Sequence, residues 1–429
     1  MKTESSPFSF TAIRSAFQKK DLKGAHSLCL AYLDSDPTHQ PALDLLQIIV
    51  QRRLFAVTHR DLIQKLKDIE QLIAHRSYQL ALTRIETLLT EYARIPAILY
   101  LRIKALQQGS SLHELAATYL ELIALLPGAS VLHLELANVM QRLHRFDDAR
   151  KHYTACLHYD PKNVAAISNL GVALGRLGDF ARARQYFERA LDMRPDHALT
   201  LNNYGKLLFD YGDVETAKRM FERAAALSEG RDHAVLNVAH VAQVMGSVDE
   251  ATAAYRSLQK SAHHAAEAFF NLAVMHRLQI GESELQRAID AVVRITEPEA
   301  DRVHYAFGLS HYFHDRGDYE SAFHYLTTGN TLKQQMLNYD ADASIQLMQS
   351  LTDNASKVLN CEVDDDRFSN GPGLTFIIGM PRSGSTLVEH ILTCSDQVVS
   401  GGEMPWIPQF GRDVAVGNEA VSLTHVARF

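Results

Sequence analysis

Cysteine is scarce. Four residues in 429 (Cys29, Cys156, Cys361 and Cys394) are spread along the chain without a Cys-x-x-Cys pair. That spacing argues against a disulfide-stapled fold and a thiolate metal site, and it suits a reducing compartment. Long apolar runs are missing too. The longer ones, such as Leu122–Pro127, span a handful of residues, against the roughly 20 that cross a bilayer. The opening MKTESSPFSFTAIR has no apolar core of the kind that begins a secretory signal. Nor is there a basic excess: 43 Lys and Arg stand against 50 Asp and Glu, a net charge of −7. No nucleic acid and no membrane is therefore the expectation for partners, and cytoplasmic the expectation for location.

What is present is regular. With 46% hydrophobic and 22% charged residues, the chain can fold, and its length calls for two or three domains or one lengthening array. An alanine recurs at one constant spacing, at Ala149, Ala183, Ala217 and Ala251. An aromatic stands one helical turn after each: Tyr153, Phe187, Phe221 and Tyr255. Gly178, Gly212 and Gly246 keep the same period, as do Pro127, Pro161 and Pro195, and Gly171 with Gly205. Small residues let two antiparallel helices approach, the aromatic fills the gap between hairpins, glycine ends the first helix and proline the second.

These columns resemble the tetratricopeptide repeat, whose period of about 34 residues they share. The strongest copies cover about residues 130–260. Weaker ones centre on Ala25, Ala81, Leu115, Leu285 and Ala322, about nine in all, with an irregular join between Pro37 and Ser77. The resemblance implies an α-solenoid superhelix over residues 11–338 whose concave face holds a peptide or protein. The 21 histidines show no metal-ligand spacing and are expected to be ordinary surface or packing residues.

Residues 339–373 read as a helical linker ending in the acidic Asp364–Asp366 and the loop Ser369–Gly373. Residues 374–429 begin something different. Leu374–Ile378 reads as a buried parallel strand, Gly379–Gly384 (GMPRSG) as a turn, and Ser385–Cys394 as a helix with one apolar face. A strand, a glycine-bounded turn and a helix form the context of a phosphate-binding loop. The spacing fits G-x-x-x-x-G-K-[ST], with Ser385 in place of the lysine. Loop amides and the helix N-terminus favour an anion there, Ser385 and Thr386 add hydroxyls, and Arg382 supplies a planar cation.

PRSGST at Pro381–Thr386, Leu387 behind it and the Gly-Gly-Glu of Gly401–Glu403 together resemble the sulfotransferases that use 3′-phosphoadenosine 5′-phosphosulfate, in particular the tyrosylprotein branch. The resemblance is confined to residues 374–429. It implies the start of an α/β P-loop-like domain in which Arg382, Ser383, Gly384, Ser385 and Thr386 bind the phosphosulfate and Glu403 is the general base. It implies no metal. Transfer to a hydroxyl, protein tyrosine among the candidates, would be the chemistry, with the repeats binding the acceptor or a partner protein. A nucleoside-triphosphate hydrolase is disfavoured by Ser385 and by the lack of a metal-binding aspartate. The sequence reaches Phe429 only a short stretch after Glu403, so the rest of the catalytic domain is expected to be missing here. The alternative is a non-catalytic repeat scaffold with a vestigial sulfotransferase segment.

Overall fold

The computed structural model describes residues 9–54, 60–92, 95–108, 111–227 and 230–337, with 342, 345, 346, 348–350, 388 and 391–393 beyond them. The chain divides into two compact units, Met1–Gly329 and Asn330–Phe429. Nineteen helices and no strand occur among the described residues. The first seven are α1 (Phe10–Gln18), α2 (Leu22–Ser35), α3 (Gln40–Leu54), α4 (Arg60–Ala74), α5 (Tyr78–Glu91), α6 (Pro96–Leu106) and α7 (Leu112–Leu125). The regular hairpins follow: α8 (Ser130–Arg142) with α9 (Phe146–Tyr159), α10 (Val164–Arg176) with α11 (Phe180–Met193), α12 (Ala198–Asp210) with α13 (Val214–Ala225), and α14 (Arg231–Val244) with α15 (Val248–Leu258). The last four are α16 (Ala265–Val274), α17 (Glu282–Val293), α18 (Glu299–His314) and α19 (Tyr319–Leu337). None is long and apolar enough to cross a membrane.

The repeated columns make each hairpin. Gly178, Gly212 and Gly246 turn the chain at φ +81°, +89° and +76°, left-handed values that favour glycine. Asp179 and Asp213 come next, and their carboxylates accept from the backbone N–H of Arg182 and Thr216 at 3.1 and 3.2 Å. That satisfies orphan donors at the starts of α11 and α13. Arg189 and Arg223 donate to the carbonyls of Pro161 and Pro195, both at 2.9 Å, tying each second helix to the loop that precedes its own hairpin.

Packing explains the rest. The four alanines of the column are fully buried, and Tyr153, Phe187, Phe221 and Tyr255 are at most 3% exposed. A Cβ on Gly205 would lie 2.7 Å from the Phe221 ring, and one on Gly171 3.0 Å from Phe187. The ring of the second helix thus occupies the space a side chain of the first would need. Each ring contributes roughly 1.5–3 kcal/mol of transfer free energy. Ala217→Trp should overpack this seam and destabilise the chain by roughly 1–3 kcal/mol. Urea unfolding followed by circular dichroism checks this, and an unshifted midpoint would contradict the packing.

The irregular join is α3 and α4. Helix α3 packs on α2 and α6, while α4, α5 and α6 close a separate core around Leu62, Ile69, Ile85 and Ile98. Beneath α3, His26 of α2 is 3% exposed, and Arg53 Nη1 donates to its Nδ1 at 2.7 Å. Burial, then the Arg53 charge, pushes this imidazole down to about 4. The unfolded chain therefore takes up a proton near pH 6.5 that the folded chain refuses. No stability is lost above that range. As pH falls from about 6.5 to about 4, up to about 3 kcal/mol should go. Urea midpoints across this window should fall in the native chain and fall less in His26→Leu.

One expected hairpin is not paired as its register implies. Helix α17, with Leu285, packs on α18 and makes at most marginal contact with α16, whereas α16 and α18 pack closely. The reason is Gly308 of α18, where a Cβ would sit 2.5 Å from the Phe269 ring of α16. With no side chain in the way, the two helices close over Phe269. Helix α19 returns to α18 through the stacked rings of Phe313 and Tyr325, 5.6 Å apart. The predicted strand Leu374–Ile378 and turn Gly379–Gly384 lie outside the described residues. Of the predicted helix Ser385–Cys394, residues 388 and 391–393 are described and are helical.

Candidate peptide groove

In the regular hairpins, first helices of successive repeats touch directly: α8 with α10, α10 with α12, and α12 with α14. The second helices make at most marginal contact with one another. The array therefore curves around its first helices, whose free faces form the inner wall. One residue per repeat stands at the middle of that face, at the period of the other columns: Asn169, Asn203, Asn237 and Asn271, each half-buried.

An amide suits this position because it both donates and accepts, as an extended peptide backbone does. The first of them is held by its neighbours. Asn169 Nδ2 donates to Asn138 Oδ1 at 3.0 Å, and the buried Tyr153 hydroxyl reaches the same oxygen at 2.8 Å. Further along, Asn237 Nδ2 approaches Asn202 Oδ1 at 3.4 Å. Pinning an amide in advance lowers the entropy lost when a ligand binds. The sequence reading passed over this column, although its period is the one that revealed the others.

The wall is electrostatically mixed. Asp210 is exposed, yet loss of hydration among its neighbours raises its carboxyl above the usual range, against the pull of Lys206 and Arg176. His233 and His240 are pushed below the usual imidazole range, again first by burial. A group reached by solvent on one side and desolvated on the others marks a recessed surface. Val131 and Leu199, 60% and 53% exposed, add apolar steps on the same face.

Arg382, Ser383, Gly384, Ser385, Thr386 and Glu403 all lie outside the described residues. The buried thiols offer no substitute chemistry: desolvation pushes Cys29 up to about 11 and Cys156 up to about 12. Among the described residues, no group of three or more His, Cys, Asp or Glu side chains is arranged to hold a metal ion.

Two stretches of the chain match known families. Residues 129–196 and 163–230 match the tetratricopeptide repeat, and residues 374–427 match the sulfotransferase family. An uncharacterized protein of Aquifex aeolicus (strain VF5) is 29% identical over 141 residues, 31% of this chain and 18% of that protein. The chain thus spans less than a fifth of the length of the curated relative it matches. Among solved structures, PilW, a widely conserved type IV pilus biogenesis factor, is similar at 16% identity with a TM-score of 0.40, over 48% of this chain and 94% of PilW. A tetratricopeptide repeat protein from Parabacteroides merdae ATCC 43184 is similar at 14% identity and TM-score 0.41, over 62% of this chain and 96% of that one. The chain carries tetratricopeptide repeats, followed by a segment that matches the sulfotransferase family.

Proposed function

We propose that this protein moves a sulfuryl group from 3′-phosphoadenosine 5′-phosphosulfate to a hydroxyl on a peptide or protein, tyrosine being the first candidate, which the repeats hold. The observation that carries the reading is the run Gly379–Thr386, with Glu403 behind it, inside the segment that matches the sulfotransferase family. In the reaction the donor's S–O bond to the 5′-phosphate breaks and a bond from sulfur to the acceptor oxygen forms. Negative charge grows on the departing phosphate. Arg382, the loop amides and the hydroxyls of Ser385 and Thr386 are suited by type and spacing to stabilise it. The acceptor proton goes to Glu403. Charge on the phosphate is met by the arginine and by amide donors, so magnesium is not required.

The inner wall gives the repeats their part. Amides at one per repeat match the alternating donors and acceptors of an extended chain, and the apolar steps at Val131 and Leu199 take side chains between them. Calorimetric titration with the desulfated nucleotide, 3′-phosphoadenosine 5′-phosphate, in the presence of a chelator tests the donor half. Saturable binding is expected; none would leave the repeats without this chemistry.

A further inference from the structure

The inner wall changes character between α12 and α14. Positions held by Leu199 and Lys206 in α12 are held by His233 and His240 in α14, and the His233 column continues as Glu267 in α16. Stacking of the helices gathers these with His264, which directly precedes α16. His240 Nε2 lies 3.6 Å from Glu267 Oε1, and His264 Nδ1 lies 4.0 Å from Glu267 Oε2. The His233 and His264 rings are 5.7 Å apart between centroids. The Glu267 side chain is 30% exposed, and among the described residues its ion-pair neighbours are histidines alone, with no Lys or Arg.

Among the described residues no Lys or Arg forms an ion pair with that carboxylate. From α12, Lys206 faces His233, and from α15, Tyr255 packs 5.9 Å from His240. On α13, Lys218 is held by Glu250 of α15 at 2.7 Å. From α18, Asp301 faces His263, His264 and His304, adding negative rather than positive potential. Burial holds His233 and His240 below the usual imidazole range even though Glu267 pulls both upward. At neutral pH these two rings are uncharged, and they offer lone pairs beside the Glu267 side chain. Such a set accepts hydrogen bonds from a cation. Once the rings take up protons they become the cations themselves. They then pair with Glu267 from within and repel a positive ligand.

We propose that Glu267, flanked by His233, His240 and His264, receives a lysine or arginine side chain of a peptide lying along the groove, and that acid releases it. The proposal rests on the reading of the inner wall as a peptide groove. It adds the chemistry of one ligand position and its dependence on pH.

A random-peptide library displayed on phage, panned against the full chain at about pH 7.5 and eluted at about pH 4.5, tests it from above to well below the usual imidazole range. Recovered peptides should share a lysine or arginine at one position. Their binding should be roughly tenfold or more weaker at the lower pH. Glu267→Gln should abolish the enrichment, and His240→Gln should flatten the pH dependence while leaving binding at about pH 7.5 largely intact. Peptides recovered without a shared basic residue, or with one that survives Glu267→Gln, would overturn the proposal and leave the groove standing. Binding that a chelator abolishes would overturn it in favour of a metal-dependent cluster. If no peptide were recovered at all, both the proposal and the groove would fall.

Discussion

In a form that carries a complete sulfotransferase domain, Glu403→Gln is expected to lower sulfuryl transfer by roughly 10²–10⁴ while leaving donor binding nearly unchanged, the pattern left by loss of a general base. The reasoning starts from the acceptor. A phenol titrates near 10 and an ordinary glutamate near about 4.3, so full proton removal in the ground state is uphill. Transfer must come late, as sulfur bonds to oxygen and the phenol becomes acidic, with the carboxylate already in position. Glutamine keeps the size and polarity of the side chain but has no basic oxygen. Initial rates of labelled-sulfate transfer, beside calorimetry with the desulfated nucleotide, separate the two quantities. A rate within a few-fold of the native chain would remove Glu403 from the chemistry.

The second large effect belongs to the donor. Arg382→Ala should weaken binding of 3′-phosphoadenosine 5′-phosphate by about 1.5–3 kcal/mol, the range for hydrogen bonds to charged groups. That is roughly a ten- to hundredfold rise in dissociation constant. Arg382→Lys should recover only part of the loss, because a compact ammonium cannot make the paired, planar contact of a guanidinium. Calorimetry on the three proteins ranks them directly. Equal affinities would mean that the loop amides alone hold the phosphate.

Periodicity made most of the fold legible. A hairpin that packs on its own copy needs the same side chain at the same place each time, so Ala183 and Ala217, or Phe187 and Phe221, report their burial through the repeat itself. The Gly-Asp pairs at 178–179 and 212–213 are equally plain, since one residue must turn and the next must cap. The asparagine column kept the same period but is only half-buried, so attention to core residues passes over it. The rearrangement of α16, α17 and α18 was not legible. It depends on Gly308 meeting Phe269, a contact outside the repeat register. The Glu267 cluster is similar in kind: His233 and Glu267 are one repeat apart, but only the loop before α16 brings His264 beside them. Arg382 and Glu403 lie outside the described residues: Arg382 rests on the loop spacing, which encodes anion chemistry before any fold is known, and Glu403 on the sulfotransferase resemblance alone.

The most direct test is a transfer assay. A form of the protein that carries a complete sulfotransferase domain is incubated with labelled 3′-phosphoadenosine 5′-phosphosulfate, a chelator and tyrosine-containing peptides recovered from the groove. Label should appear on the tyrosine hydroxyl with the native chain and fall away in Arg382→Ala and Glu403→Gln. Peptide that binds the groove but never acquires label would contradict the claim that these repeats serve a sulfotransferase.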